Sequence, residues 1–132
     1  MKYMLDTNII AYAKNNRPEG VLARLHEHAS EGLGISSIAL AELEFGVCNS
    51  SDPARNRLAL LSFLSGIEIA PFSADAAREY GDIRSVLKRS GTLIGANDLL
   101  IAAHARALNV ILVTNNLGGF TRVPGLRLEN WV

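Results

Sequence analysis

Three acidic residues lie at positions where a charged carboxylate is unfavourable in free energy unless another group compensates the loss of hydration. Asp6 directly follows an apolar run, and Glu42 and Asp98 lie inside apolar stretches with helical spacing. A carboxylate beside a core-facing stripe loses hydration free energy unless a cation or hydrogen-bond donors replace the water. Three converging carboxylates would also repel one another, and Mg²⁺ or Mn²⁺ relieves that repulsion because both ions favour carboxylate and water oxygens. Such an ion polarises water and neutralises a phosphoryl transition state, so the residues point to metal-dependent phosphoryl chemistry.

Each acid also has a structural explanation, which the residue types leave open. Asp6 could cap a helix that starts at Thr7. Glu42 could lie on a solvated helix face, and Asp98 could be a favourable charge in the first turn of a helix.

Other site chemistries find little support in the sequence. The histidines and the single cysteine have no zinc-ligand spacing, and we expect His26, His28 and His104 to be structural or surface residues. Cys48 lacks the local signature of a nucleophile and is expected to be a buried or partly buried thiol. No glycine-rich phosphate loop of the Walker or Rossmann type occurs, so nucleotide triphosphate hydrolysis and dinucleotide redox chemistry have no support.

Length and composition are those of one globular domain spanning residues 1–132. The chain has a mass of 14.2 kDa, and 48% of its residues are hydrophobic. Thirteen basic residues balance thirteen acidic ones. A net charge of zero excludes a generally polycationic nucleic-acid binder and a polybasic membrane binder, but it leaves room for nucleic acid held by a local basic patch and a bound metal.

Several features favour a cytoplasmic protein. One cysteine forms no internal disulfide, which fits a reducing compartment. Asp6 and Asn8 interrupt the only apolar stretch near residue 1, so we expect no signal peptide. No apolar run approaches the ~20 residues of a membrane span, so we expect no membrane association.

The elements that must position the acids alternate between strands and helices. Strands are predicted at 3–5, 33–35, 67–70, 110–113 and 126–128. Helices are predicted from Thr7 through Tyr12, from Pro18 to Gly32, after Ser36–Ser37, from Asp52–Pro53 to Gly66 with an apolar face of Leu58, Leu61 and Leu64, from Ser73 to Gly91, and from Asn97 to Leu108. Strands separated by helices pair in parallel through right-handed crossovers, which predicts an α/β fold, a three-layer α/β/α sandwich with a mostly parallel central sheet. Ligands of such sheets bind outside the carboxyl ends of the strands, where the polar runs 6–8 and 114–116 fall.

The order of these motifs resembles a known family. The residues that carry the resemblance are Met4-Leu5-Asp6-Thr7-Asn8, Ser36-Ser37 to Ala41-Glu42-Leu43 with Gly46, Ile94-Gly95 to Asp98 with Ile101-Ala102-Ala103-His104-Ala105, Leu112-Val113-Thr114-Asn115-Asn116 with Phe120, and the segment from Leu126 to Trp131. Together they resemble PIN-domain ribonucleases of the VapC toxin type, over essentially the whole chain. The resemblance implies one PIN domain that binds Mg²⁺, with Mn²⁺ as a substitute, and hydrolyses RNA phosphodiester bonds.

The resemblance also implies roles for individual residues. Asp6, Glu42, Asp98 and Asn116 would form the catalytic group, and Asp6 and Asp98 would bind the metal most directly, with Glu42 acting partly through water. Thr114 would orient groups at the cleft, and the supporting residues would be Thr7, Asn8, Thr114 and Asn115. Asn116 stands where many relatives carry a fourth acid, and Gly119 stands where relatives often have Glu. With that carboxylate missing, the number of bound ions stays open, and so does a weak or inactive site.

Substrate and partners follow from the same resemblance. The RNA would be recognised by its shape, with the anticodon loop of initiator tRNA as the leading candidate. Phosphate contacts are expected from Lys14, Arg17, Arg84, Lys88 and Arg89, each of which could equally lie on a solvated helix face. The family implies a homodimer and a VapB-type antitoxin whose C-terminal segment lies in a groove, with operator DNA bound only through the antitoxin. The helices at 38–45 and 58–64 are apolar enough for a groove or a dimer surface, although core packing explains most of their residues.

Two other functions remain as alternatives. A phosphatase or phosphoacceptor would also place an aspartate after the first strand, but it usually needs a second nearby acid and a lysine after a later strand, and Thr114-Asn115-Asn116 offers none. A degenerate PIN module would act only by binding its antitoxin, and it would have no affinity for Mn²⁺ at Asp6 and Asp98.

Overall fold

A five-stranded, entirely parallel sheet forms the centre of the computed structural model, which describes residues 1–15 and 17–132. The strands are β1 (Tyr3–Leu5), β2 (Leu33–Ser36), β3 (Glu68–Ala70), β4 (Ile111–Val113) and β5 (Arg127–Glu129), in the spatial order β3-β2-β1-β4-β5. Tyr3 aligns with Leu33 on one side and with Ile111 on the other. The predicted α/β class and parallel sheet are confirmed.

Among the described residues, seven α-helices connect and cover the strands. They are α1 (Thr7–Asn15), α2 (Val21–His28), α3 (Ser37–Cys48), α4 (Pro53–Leu64), α5 (Ala74–Arg89), α6 (Ala96–Leu108) and α7 (Leu117–Phe120), with one 3₁₀ turn at Ala29–Glu31. Within the described part of the chain, no helix has both the length and the apolar character needed to cross a membrane.

The central strands form the middle of the core. All residues of β1 and β2 are buried, as expected for parallel strands covered by helices on both faces. Helix α6 contributes a nearly continuous buried run, Ile101–Ala105, which includes His104. The sheet edge that carries the polar runs is therefore attached to a rigid base.

Three predicted helix starts are present, with the expected capping bonds. The side chain of Ser36 accepts from the N–H of Ile38 at 3.0 Å, and that of Ser73 accepts from the N–H of Ala76 at 3.3 Å. Asp52 accepts from the N–H of Arg55 at 3.3 Å, with Pro53 in the first turn. Each bond satisfies a backbone donor that the helix itself leaves free.

The boundaries of α2 and the buried face of α4 were predicted wrongly. Helix α2 begins at Val21 rather than at Pro18, because Gly20, with φ of 97°, occupies the N-cap position. In α4 the buried leucines are Leu60 and Leu64, whereas Leu58 and Leu61 are 70% and 58% exposed. The buried stripe follows an i, i+4 spacing, which leaves the other two leucines facing away from the core.

Two smaller expectations also need correction. Cys48, the last residue of α3, is exposed rather than buried, whereas its neighbour Val47 faces the core. Helix α7 was not predicted, since its four residues, Leu-Gly-Gly-Phe, carry no helical periodicity.

Candidate active site

The sheet order creates a crevice where β1 and β4 lie side by side. From β1 the chain builds the sheet toward β2 and β3, and from β4 it builds toward β5 in the opposite direction. Such a switch point is where ligands bind in open parallel sheets. Leu5 aligns with Val113, and the N–H of Asp6 donates to the carbonyl of Val113 at 2.9 Å. Strand pairing therefore places Asp6 directly beside Thr114.

Asp6 is a buried carboxylate held by two donors. Asp6 is only 4% exposed to solvent. The hydroxyl of Thr114 donates to Oδ2 at 2.8 Å, and the N–H of Thr7 donates to Oδ1 at 2.8 Å. Asp6 thus stands at the start of α1, as the capping explanation requires, and it also points into the crevice with both oxygens fixed.

The other two acids are linked to Asp6 through neutral side chains. The hydroxyl of Thr7 donates to Oε1 of Glu42 at 3.0 Å. The N–H of Asn116 donates to the hydroxyl oxygen of Thr114 at 2.9 Å, and the side-chain amide of Asn116 donates to Oδ2 of Asp98 at 3.1 Å. One continuous set of hydrogen bonds therefore connects three carboxylates that lie far apart in sequence.

Burial and mutual repulsion act on these carboxylates in the same direction. Burial is the main cause that raises the pKa of Asp6, with the charges of Asp98 and Glu42 adding to it and the bonds from Thr114 and Thr7 opposing it. Burial also raises the pKa of Asp98, followed by the charge of Glu42, and the bond from Asn116 opposes the rise. The site therefore carries negative charge that its own donors only partly offset.

The donor set fits a hard divalent cation held by few protein ligands. In residues 1–15 and 17–132, no salt bridge involves Asp6, Glu42 or Asp98, and no three acidic, histidine or cysteine side chains are arranged to hold one ion. Mg²⁺ is commonly bound by one or two carboxylates while it keeps several waters. Asp6 and Asp98 would supply the two carboxylates of such a site, and Glu42 would act through water.

The remaining predicted residues lie at various distances from the acids. Asn115 is exposed, and its side-chain oxygen accepts from Asn130 at 3.0 Å, so it ties the end of β4 to the C-terminal segment instead of facing the carboxylates. Asn8 is exposed in the first turn of α1. Lys14 lines a surface depression together with Glu42, an acid of the site.

The other predicted phosphate-binding residues are exposed. Arg84 donates to the hydroxyl of Tyr80 at 2.8 Å, and Arg89 donates to Ser85 at 2.7 Å, all on α5. Lys88 is also exposed on α5, and Arg17 is exposed before α2. The positions of these four residues are compatible both with phosphate contacts and with a solvated surface.

Support for the loop before Asp98 was not predicted from the sequence, whereas a groove along the helix at 38–45 was. Arg122 donates to the carbonyl of Leu93 at 3.3 Å and so supports the loop that leads to Asp98. A groove of about 510 Å³ runs between α3 and α6, lined by Thr7, Ile38, Ala41, Glu42, Phe45, Asn97 and Leu100. The helix at 38–45 was predicted from its apolar residues as a candidate for a groove, and Ile38, Ala41 and Phe45 of that helix line this one.

Comparison with known proteins identifies the family. The PIN domain family matches residues 3–126. The chain is 49% identical over 132 residues to Ribonuclease VapC2 of Rickettsia felis, which covers 99% of this chain and 98% of that protein. The chain belongs to the VapC family of PIN-domain proteins. The resemblance stated from the sequence is confirmed.

Solved structures of VapC-family members have the same fold. The crystal structure of VapBC2 from Rickettsia felis bound to a DNA fragment from the promoter matches with a TM-score of 0.94, 48% identity and full coverage of both chains. Another VapC-family relative, the tRNA(fMet)-specific endonuclease VapC of Salmonella typhimurium, is 40% identical over 131 residues, covering 99% of this chain and 98% of that protein.

Replacing Asp98 by asparagine should stabilise the protein when divalent cations are absent. Because folding raises the pKa of Asp98, its stabilising contribution is present at acid pH and is lost as the pH rises through the folded-state value. At neutral pH the ionised group therefore lowers the free energy of unfolding. Thermal unfolding of Asp98→Asn at pH 7 with EDTA should show a melting temperature higher by about 2 °C or more.

The matched control for this change is Asp75→Asn. Asp75 is also an acid in the first turn of a helix, α5, and it is exposed to solvent. Its replacement should lower the melting temperature slightly. If Asp98→Asn lowered it in the same way, Asp98 would be a helix-dipole charge and not a repelled site carboxylate.

Proposed function

We propose that this protein is a Mg²⁺-dependent endoribonuclease, the toxin of a type II toxin–antitoxin module. The observation that carries the proposal is the hydrogen-bonded link between Asp6, Glu42 and Asp98 at the switch point of the sheet. Relatives at 49% and 40% identity that are named ribonuclease and endonuclease support it. In the proposed function, these three acids act on a phosphodiester bond through their negative charge and their fixed positions.

The chain's own residues have distinct parts in the reaction. Asp6 and Asp98 would hold the cation, and Thr114 and Asn116 would fix the carboxylate oxygens that face it. When bound, Mg²⁺ supplies positive charge against the phosphate and a polarised water. Glu42, held by Thr7, would orient the water for in-line attack on phosphorus. Cleavage of this kind leaves a 5′-phosphate and a 3′-hydroxyl.

A folded RNA suits the surface better than an unstructured one. The net charge is zero, and the predicted phosphate contacts are divided between α5 and the segment around Lys14 and Arg17, so tight nonspecific binding is not expected. Recognition by shape needs only a few phosphate contacts. The Salmonella typhimurium relative is named for tRNA(fMet), which supports the anticodon loop of initiator tRNA as the substrate.

Cleavage of total bacterial RNA tests the activity. The purified protein should cut a few RNAs when Mg²⁺ or Mn²⁺ is added, and EDTA should stop the reaction. Asp6→Asn should lower the rate by at least about 100-fold, because a cation ligand is lost. Asp75→Asn, on the outer helix α5, is the matched control and should keep full activity.

Mapping of the cut ends tests the mechanism separately. A 5′-phosphate and a 3′-hydroxyl are expected. A 2′,3′-cyclic phosphate would contradict the mechanism, because it would show that the ribose hydroxyl had attacked. Folded protein that cuts no RNA would favour the second candidate, a PIN module that acts only through its antitoxin.

The absence of a fourth carboxylate is the observation that supports this second candidate function. Asn116 faces Asp98 with a neutral amide, and Gly119 has no side chain. A Cβ at position 119 would lie 3.4 Å from the amide nitrogen of Asn116 and 3.6 Å from Ile94, which is ordinary contact. A side chain there would therefore point toward the Asn116 end of the site without a clash.

Gly119→Glu should raise the site's capacity for divalent cations. The added carboxylate would join Asp98 beside Asn116, so calorimetric titration should change from one bound Mn²⁺ to two, or to about tenfold tighter binding. Gly119→Gln is the matched control with the same shape and no charge. Equal Mn²⁺ binding by both variants would show that position 119 does not face the cation.

The proposed protein partner is a VapB-type antitoxin. Phe45, Leu58 and Leu61 are 68%, 70% and 58% exposed on α3 and α4, an amount of apolar surface that a partner would cover. Solved VapC-family neighbours are VapBC complexes, two of them bound to DNA. We propose the same partner here, together with a homodimer and operator DNA contacted only through the antitoxin.

Leu58→Lys with Leu61→Lys should weaken co-purification with the proposed VapB-type antitoxin. Both side chains are exposed, so the fold should persist, while each buried lysine would cost the complex roughly tenfold or more. The matched control is Leu108→Lys, at a leucine that is also exposed but lies at the end of α6. Unchanged co-purification would remove the α3–α4 face from the interface.

A further inference from the structure

A buried polar pair joins the two helices that carry Glu42 and Asp98. Nδ1 of His104 on α6 lies 2.8 Å from the hydroxyl oxygen of Ser36, and both residues are fully buried. The same hydroxyl oxygen accepts from the N–H of Ile38 and so caps α3. The hydroxyl oxygen of Ser36 therefore caps the helix that carries Glu42 and contacts the helix that carries Asp98.

The position of this pair relates it to the acids. Glu42 lies six residues after Ser36 on α3, and Asp98 lies six residues before His104 on α6. Six residues of helix span about 9 Å. The charge of Glu42 acts on Asp98, so the two acids lie near each other. The polar pair and the two acids are therefore carried by the same two helices.

We infer that His104 is a positioning residue whose hydrogen bond to Ser36 sets the spacing of Glu42 and Asp98, and thereby the affinity of the site for a divalent cation. This inference rests on the proposed function. It assigns a role to a residue that touches neither the acids nor the proposed substrate.

Stability alone is a poor explanation for a histidine at this place. Nε2 of His104 is buried and has no partner with hydrogen-bond geometry among the described residues. Burial lowers the pKa of His104 and outweighs the opposite effect of the Pro71 carbonyl, so the ring is neutral at pH 7. A half-satisfied buried polar group costs free energy that an apolar side chain of similar size would not. What the histidine adds is the directional contact with Ser36.

The surroundings of the pair restrict how α3 and α6 can adjust. The ring of Phe72 packs edge-on against His104 at 5.4 Å, and the N–H of Phe72 donates to the hydroxyl of Ser37 at 3.1 Å. The segment after β3 is thus attached to the first turn of α3 and packs on α6. Without the contact between His104 and Ser36, the packing against Phe72 would remain. The position of α6 along the axis of α3 would then no longer be fixed by a hydrogen bond.

Two substitutions of His104 separate positioning from stability. His104→Asn keeps a polar group close to the place of Nδ1, whereas His104→Leu fills the space without one. Calorimetric titration of the metal-free protein with Mn²⁺, without RNA, should show a Kd on the order of tenfold weaker for His104→Leu and within about twofold of the original for His104→Asn. The melting temperature of His104→Leu should be unchanged or higher.

A second pair of variants tests the Ser36 side of the contact. Ser36→Ala and Ser73→Ala each remove one helix cap, on α3 and α5, so both should lower the melting temperature, and Ser36→Ala should lower it more because Nδ1 of His104 also loses its partner. Only Ser36→Ala should also weaken Mn²⁺ binding. The inference is overturned if His104→Leu binds Mn²⁺ as the original does, or if affinity simply follows melting temperature across all four variants. An original protein that binds no Mn²⁺ and cuts no RNA would overturn the proposed function, and the inference with it.

Discussion

Repulsion among three carboxylates at one edge of a sheet is the constraint on which the rest of this structure depends. Asp6 is buried, and the charges of Glu42 and Asp98 raise its pKa further. Left to local preference, these groups would turn toward water or take up protons. Parallel strands, the packed helices α3 and α6 and a set of hydrogen bonds hold the three acids together, so the rest of the fold compensates the free energy that their repulsion costs.

The donors that fix the acids are all neutral. Thr7, Thr114 and Asn116 each give a hydrogen bond to a carboxylate without cancelling its charge. An arginine or lysine in their place would stabilise the fold more strongly, but it would occupy the position of a cation and remove the negative potential that attracts one. The neutral donors orient the carboxylates but leave their charge uncompensated. Uncompensated charge of this kind is a common reason why functional sites lower the stability of a protein.

Sequence reasoning succeeded where structure follows from local patterns and failed where it follows from distant contacts. The caps at Ser36, Asp52 and Ser73 were predictable because a cap bonds within three residues. The exposure of Leu58 was not, because either leucine face of α4 could be buried until the position of its neighbours is known. His104 also carried no signal, since its partner lies 68 residues away and an apolar stretch around a histidine predicts only burial.

The site residues themselves show why resemblance was needed in addition to local reasoning. The bond from Thr114 to Asp6 spans 108 residues and that from Thr7 to Glu42 spans 35, so neither exists until β1 and β4 have paired and α3 has packed beside them. Considered alone, each acid could be explained as a helix cap, a solvated side chain or a charge in a first helical turn. Their location together at one edge of the sheet shows that these explanations are incomplete. Parallel sheet topology supplies that location, because it brings the carboxyl ends of strands that are distant in sequence to one edge. The chemistry of this protein is thus a property of the assembled sheet, and none of its helices or loops would possess it alone.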